Sequence, residues 1–270
     1  MSFYINDTAL KSAYYNGSEV KSIYYNGTEV WKSDAWPGWS SATWEDIYNL
    51  CKQKQEGEIT AWPSDVVVGA TKTVTLSTAV CGVTSVTMML IGIDIDGSGV
   101  LTFHSKYGFA TATAFGADGC YWADSTVRSL CQSFYNYCNV KSYIKTLSKG
   151  YSKDDPRTSR NGTATYTDET VWLLSERELG LDANSPISVA NSSTTNAECT
   201  YGVNAAYPYY NSATRRIKYK SNATSTKVAY WTRSKSMYNY MYHIGVNTSG
   251  ASEYLSNTAT YYFAPAFAIG

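Results

Sequence analysis

Charge is scarce in this chain. Only 16% of its residues are Asp, Glu, Lys or Arg, the formal net charge is zero, and the basic residues are scattered. The concentrated positive field that a nucleic-acid binder uses is therefore missing. Histidine occurs twice, and the six cysteines, Cys51, Cys81, Cys120, Cys131, Cys138 and Cys199, form no C-x-x-C pair. That spacing argues against a structural zinc site, so neither a metal nor a cofactor is expected. The longest apolar run, Val86 to Ile93, contains Thr and Gly and falls far below the roughly 20 residues that span a bilayer, so membrane insertion is not expected. The opening MSFYINDTALK has no basic stretch leading into an apolar core, and no secretory signal peptide is read there. The chain is expected to be made in the cytoplasm with its thiols reduced and buried.

What the chain does have is tyrosine: 25 of them, with 8 Trp, among abundant Ser, Thr, Asn and Gly. Tyrosine offers a large, stiff, amphipathic contact, and the small polar residues offer adaptable hydrogen bonds, a mixture typical of binding loops. Strands of soluble β-rich domains also carry many Tyr and Thr. A length of 270 residues suits one large or two small domains with a substantial core.

The segment YYNGSEVKSIYYNGTEV, Tyr14 to Val30, repeats itself at a spacing of ten. Asn16-Gly17 and Asn26-Gly27 are strong signals for a two-residue turn that needs positive φ at both central positions. Each turn is flanked by Tyr-Tyr and by Ser-Glu-Val or Thr-Glu-Val, which predicts a short β meander of three strands over residues 1–33. Such a piece cannot bury a core alone. It is either an edge of the main domain or a docking element for another subunit, with Tyr14, Tyr15, Tyr24, Tyr25 and Trp31 as the assembly residues.

Residues 34–57 follow as a Trp-rich linker and helix. Thr43 with Asp46 three residues on is a capping signal, Ile47, Leu50 and Cys51 form an apolar stripe, and Gly57 is a stop, which predicts a helix over 44–55. Residues 65–77 alternate β-branched and polar side chains, and two further strands, 86–94 and 100–105, flank Asp96-Gly97-Ser98-Gly99. That stretch lacks the ligand spacing of a calcium loop and reads as a hairpin turn. A helix is expected from about 124 to 138 and a second, shorter one over 140–149, then a loop over 150–165. Beyond it come a short buried strand at 168–175, a turn at 176–180, and long polar loops broken by short strands at 230–232, 243–246 and 264–269.

Six phrases, VVVGATKTVTL, MMLIGIDIDGSGVLTFHS, YWADSTVRSL, VWLLSERELG, YWTRS and YFAPAFAIG, resemble in the same order a family of domains of unknown function common in phages of Gram-positive bacteria and in some surface proteins of their hosts. The resemblance covers residues 58–270. It implies an α+β fold related to the C-type-lectin-like and formylglycine-generating-enzyme-like folds, with long C-terminal loops and the short N-terminal β meander in front. VKSIYYNGTEVWKS is similar to phrases at the ends of phage tail and baseplate components, which implies attachment to other tail subunits and residence in the virion. Tail tips of this kind are usually threefold, which implies a homotrimer.

In that fold ligand contact is made by the segment near the C-terminus, here KSMYNYMYHIGVNTSGASEYLSNTATY between YWTRS and YFAPAFAIG. The resemblance implies binding of a host-surface glycan or protein through Tyr238, Tyr240, Tyr242, Tyr254 and Tyr261, with Asn239, Asn247 and Asn257 fixing orientation. Some phage proteins of this fold have this segment rewritten by a diversity-generating retroelement, and the Tyr, Asn, Ser and Thr content fits such rewriting. Trp231 and Arg233 in YWTRS read as a framework pair, the guanidinium positioned to hold loop carbonyls. Catalysis is not expected: His243 and His104 lie in strand-like sequence without an identifiable partner nucleophile, and Glu176 and Glu178 in SERELG suit capping and ion pairing with Arg177 or Arg233. The alternative reading is a structural baseplate or tail decoration protein that touches only virion subunits.

Overall fold

The computed structural model describes residues 36–152, 164–181, 206–236 and 241–270, and the backbone of short strands within residues 4–32. The N-terminal region differs from a three-strand meander. Among the described residues it pairs as three ribbons, Tyr4–Ile5 with Thr8–Ala9, Ala13–Tyr15 with Ser18–Val20, and Ser22–Tyr25 with Thr28–Lys32. Tyr4 pairs with Ala9, Tyr14 with Glu19 and Tyr24 with Glu29. The register is thus the same at every tenth residue, and YINDTAL is a third, degenerate copy of the repeat. Among the described residues each ribbon's strands pair only with each other.

The first helix, Trp44–Gln55, begins at a reciprocal capping box: Thr43 Oγ1 accepts from the Asp46 amide and Asp46 Oδ2 accepts from the Thr43 amide. Its buried side chains, Trp44, Ile47, Leu50 and Cys51, join the main core. The tryptophans before it are equally committed. Trp36 Nε1 donates to Asp65 Oδ1 at 2.9 Å and Trp39 Nε1 to Thr71 O at 3.1 Å, and within the helix Trp44 Nε1 donates to Thr73 O at 2.8 Å, so this segment is built into the domain and does not act as a spacer.

The central sheet is antiparallel. In spatial order it contains Ile144–Lys145, Ala266–Ile269, Leu101–Ser105, Val83–Ile93 and Thr71–Val80, with Val171–Trp172 also paired to Ala266–Ile269. A two-residue turn at Cys81-Gly82, both with positive φ, joins the Thr71–Val80 and Val83–Ile93 strands. Side chains alternate between faces along a strand. Phe103 and Phe267 are directly paired, stack at 5.5 Å, and meet Trp39, Trp44 and Phe134 on the face covered by the two long helices. Thr102 and His104, paired with Ala268 and Ala266, project from the other face. Both faces are buried, so the sheet is the centre of the core.

The second long helix, Thr126–Tyr137, starts at Ser125, whose hydroxyl accepts from the Arg128 amide, and buries Val127, Cys131 and Phe134. The expected helix over 140–149 does not form. A single turn of 3-10 helix, Lys141–Tyr143, leads into strands Ile144–Lys145 and Leu147–Ser152. Pairing to Ala268 and Ile269 and to Ala164–Glu169 replaces helical hydrogen bonds there, a tertiary override of a helix-like spacing. Residues 150–152 and 164–165, read as loop, belong to that same ribbon.

In the C-terminal region the strands expected at 230–232 and 243–246 form, and a further one, Ser252–Ser256, stands where loop is expected. Tyr230–Lys235, Tyr242–Val246 and Ser252–Ser256 form a three-stranded antiparallel sheet. The turn between the last two strands is held by Asn247, whose Oδ1 accepts from the amides of Ser249 and Ala251. The outcome is a β-rich fold with few helices.

Candidate functional site

Four side chains with full charges meet where no solvent reaches. Lys149 Nζ lies 3.0 Å from Asp96 Oδ1 and 3.2 Å from Glu178 Oε1, and Arg233 Nη1 lies 2.5 Å from Glu178 Oε2. Tyr207 donates its hydroxyl to Asp96 at 2.7 Å, Thr102 also donates to Asp96, and Lys149 sits 4.2 Å over the Trp172 ring. Two cations and two carboxylates cancel, and each is further held by polar partners, the condition under which buried charges are tolerated. Burial, and after it the Asp96 carboxylate, push the Tyr207 phenol well above its ordinary range, so it stays protonated and donates.

The cluster is a clamp. Asp96 comes from the hairpin turn after Val83–Ile93, Lys149 from the Leu147–Ser152 strand, Glu178 from the turn after Trp172, and Arg233 from the C-terminal sheet. Arg233 also donates Nε to Gly150 O and Nη1 to Leu173 O. Glu178 closes its own turn by accepting from the Ser175 amide while its amide donates to Ser175 Oγ. Asp96, Lys149 and Tyr207 were not among the sequence candidates. Their partners lie 53, 29 and 111 residues apart in the chain, and the only local hint was an aspartate inside a hairpin turn.

The two histidines are packed side chains. Burial drives the His104 imidazole well below its usual range, and Lys218 adds to this; Nδ1 faces the Tyr210 hydroxyl, and Nε2 is 3.0 Å from Ala264 O. Burial likewise lowers His243 to about 3. Its ring stacks 3.5 Å from Phe115, and Nδ1 is 2.7 Å from Asn257 Oδ1. Asn257 is fully buried, a correction to its reading as a surface contact: it is the hydrogen-bond partner of a core histidine. Asn247 serves the turn described above.

Pairing register sorts the remaining candidates. Tyr242 faces Ser256 and Ile244 faces Tyr254, so Tyr242 and Tyr254 share one face of the C-terminal sheet. Tyr254 is 44% exposed and Tyr242 is half-buried. The opposite face carries His243, Leu255 and Trp231. Tyr261 belongs with that face, its ring perpendicular to Trp231 at 5.0 Å. Trp231 itself is buried and donates Nε1 to Thr113 O at 2.8 Å. Tyr238, Asn239 and Tyr240 lie outside the described residues, as do the side chains of Tyr14, Tyr15, Tyr24, Tyr25 and Trp31. Among the described residues no group of three or more His, Cys, Asp or Glu side chains converges as metal ligands do, and no helix is long and apolar enough to cross a membrane.

Fold and site together define a β-rich domain with an internal ionic clamp and a tyrosine-bearing C-terminal sheet. Residues 111–269, more than half of the chain, match the family described as Domain of unknown function (DUF6273), and the chain belongs to that family. The central strands Thr71–Val80, Val83–Ile93 and Leu101–Ser105 precede the matched segment, whereas their partner Ala266–Ile269 lies within it. No curated protein and no solved structure matches the chain.

Proposed function

We propose that this chain is a phage tail-tip or receptor-binding protein. In this reading a C-type-lectin-like domain presents a tyrosine-bearing surface to a host-surface glycan or protein, and the N-terminal hairpins join it to other tail subunits in a homotrimer carried on the virion. The observation that carries it is the sharing of one sheet face by Tyr242 and Tyr254, with Tyr254 open to solvent. An aromatic ring with a hydroxyl at its tip can stack on a sugar face or fill a protein pocket while keeping its polar end wet. The strands beneath are fixed by a buried back layer of Trp231, His243 and Leu255 and by the Arg233 clamp, and a rigid support lowers the entropy lost on binding. Both histidines are engaged in packing and hydrogen bonds, which favours recognition over chemistry.

The test is competition. Purified full-length chain, added to Gram-positive host cells before phage carrying the protein, should occupy the receptor and slow adsorption in proportion to its concentration. Adsorption that is indifferent to saturating chain contradicts receptor binding and favours a purely structural tail subunit.

A further inference from the structure

The strands Val83–Ile93 and Leu101–Ser105 stay paired only as far as Met88 and Ser105. One more bond, from the Lys106 amide to Thr87 O, follows before the chain leaves the sheet. It is drawn away by the Lys218–Lys220 strand: the Gly108 amide donates to Tyr219 O at 3.0 Å and the Ser221 amide to Gly108 O at 2.9 Å. The parting leaves a half-open cleft of about 90 Å³.

Five of its lining residues, Ser85, Thr87, Ser105, Tyr107 and Ser221, carry hydroxyls; Val83, Val86 and Phe109 supply the apolar remainder. Not one lining residue is Asp, Glu, Lys, Arg or His. Lys218, the nearest buried cation in sequence, directs its Nζ to the backbone carbonyl of Ser105. The Ser105 hydroxyl is engaged with Tyr107 O at 2.5 Å. The Ser221 hydroxyl oxygen, by contrast, is buried and has no hydrogen-bond partner among the described residues. A buried hydroxyl left alone is costly, and native structures satisfy such groups with protein, water or ligand.

We propose that this cleft is a binding site for a small neutral polyol or for the edge of a neutral sugar unit. At about 10–15 Å³ for each water-sized group, the space takes about six to nine non-hydrogen atoms. Serine and threonine hydroxyls both donate and accept, which matches a ligand whose own hydroxyls do the same. Val86 and Phe109 offer apolar surface to its C–H groups. A charged ligand would lose hydration with no counter-charge on the walls, so neutrality is the selective feature. The site is separate from the tyrosine face and does not depend on the function proposed above.

The test is saturation-transfer NMR and calorimetry on the full chain with glycerol, erythritol and xylose as probes and glycerol 3-phosphate as the anionic control. Saturable binding of at least one neutral probe is expected, weaker by about tenfold in Ser221→Ala, the loss of one well-made hydrogen bond. Thr87→Val provides a second, near-isosteric check with the same expected direction. Binding should be unchanged in Tyr137→Ala/Tyr166→Ala, exposed side chains that do not line the cleft, and a loss there as large as in Ser221→Ala would count against the site. The proposal is overturned if no neutral probe saturates, if folded Ser221→Ala and Thr87→Val both bind as well as the parent, or if glycerol 3-phosphate binds more tightly than glycerol.

Discussion

Lys149 and Asp96 form an ion pair at 3.0 Å with neither side chain reached by solvent. Their worth lies in what removing one of them leaves behind. An orphaned buried charge costs about 3–5 kcal/mol, whereas replacing both partners by apolar residues of similar volume is often neutral. Asp96→Asn should therefore lower unfolding stability by about that amount, read from the denaturant midpoint at constant slope. The paired change Asp96→Leu/Lys149→Met should recover much of the loss. A single substitution costing under about 1 kcal/mol would mean that the clamp does not organise the core.

The buried histidines set an acid limit. Burial lowers His243 to about 3 from an ordinary 6.5, so between those values the unfolded chain binds a proton that the folded chain does not. Stability is full above 6.5 and falls as pH drops through that window, by up to about 1.4 kcal/mol per pH unit for one group. His104 shifts in the same direction. His243→Gln should flatten the decline in a urea series run from pH 7 to pH 4; an equally steep decline in the variant assigns the acid sensitivity elsewhere.

Lys218 acts at the other end of the scale. Burial lowers its amine to about 7 from 10.5, so from 7 to 10.5 the unfolded state holds a proton that the folded state lacks, and stability rises with pH across that range. Lys218→Met should remove this rise while leaving the chain folded at pH 7. Thermal midpoints measured at several pH values check it, and an unchanged pH dependence would show that Lys218 is not the group responsible.

Local signals were legible and distant partners were not. The helix at Trp44–Gln55 was readable because its cap, stripe and stop lie within fifteen residues of sequence, and the DIDGSG turn because glycine is written into it. Gly99 has φ +72, and a side chain there would meet Cys51 O at 2.9 Å, so the turn also needs glycine to pack on that helix. Nothing near Lys149 announced that it would be buried, since its stabilising charges arrive from Asp96 and Glu178 through folding alone. The C-terminal segment is legible only in part. The strand Tyr242–Val246 shows in the sequence over 243–246, where His243 turns inward to Asn257, but its neighbour Ser252–Ser256 does not, because Leu255 is its one buried side chain.

The hairpin repeats should be separable from the domain. Among the described residues their strands pair only within each ribbon, not with the central sheet. Deleting residues 1–32 is expected to leave the cooperative thermal transition within a few degrees of the parent and to abolish incorporation into particles. Loss of the folded transition would place the hairpins in the domain core instead.

The binding account rests on one face of the C-terminal sheet, and one measurement addresses it directly. Labelled full-length chain carrying Tyr242→Ala and Tyr254→Ala should lose at least about tenfold in affinity for host cells, the scale of one or two aromatic contacts at an interface. Tyr137→Ala/Tyr166→Ala, two exposed tyrosines elsewhere on the domain, should bind as the parent does. Parental affinity in the Tyr242/Tyr254 variant, with its fold intact, would contradict the account.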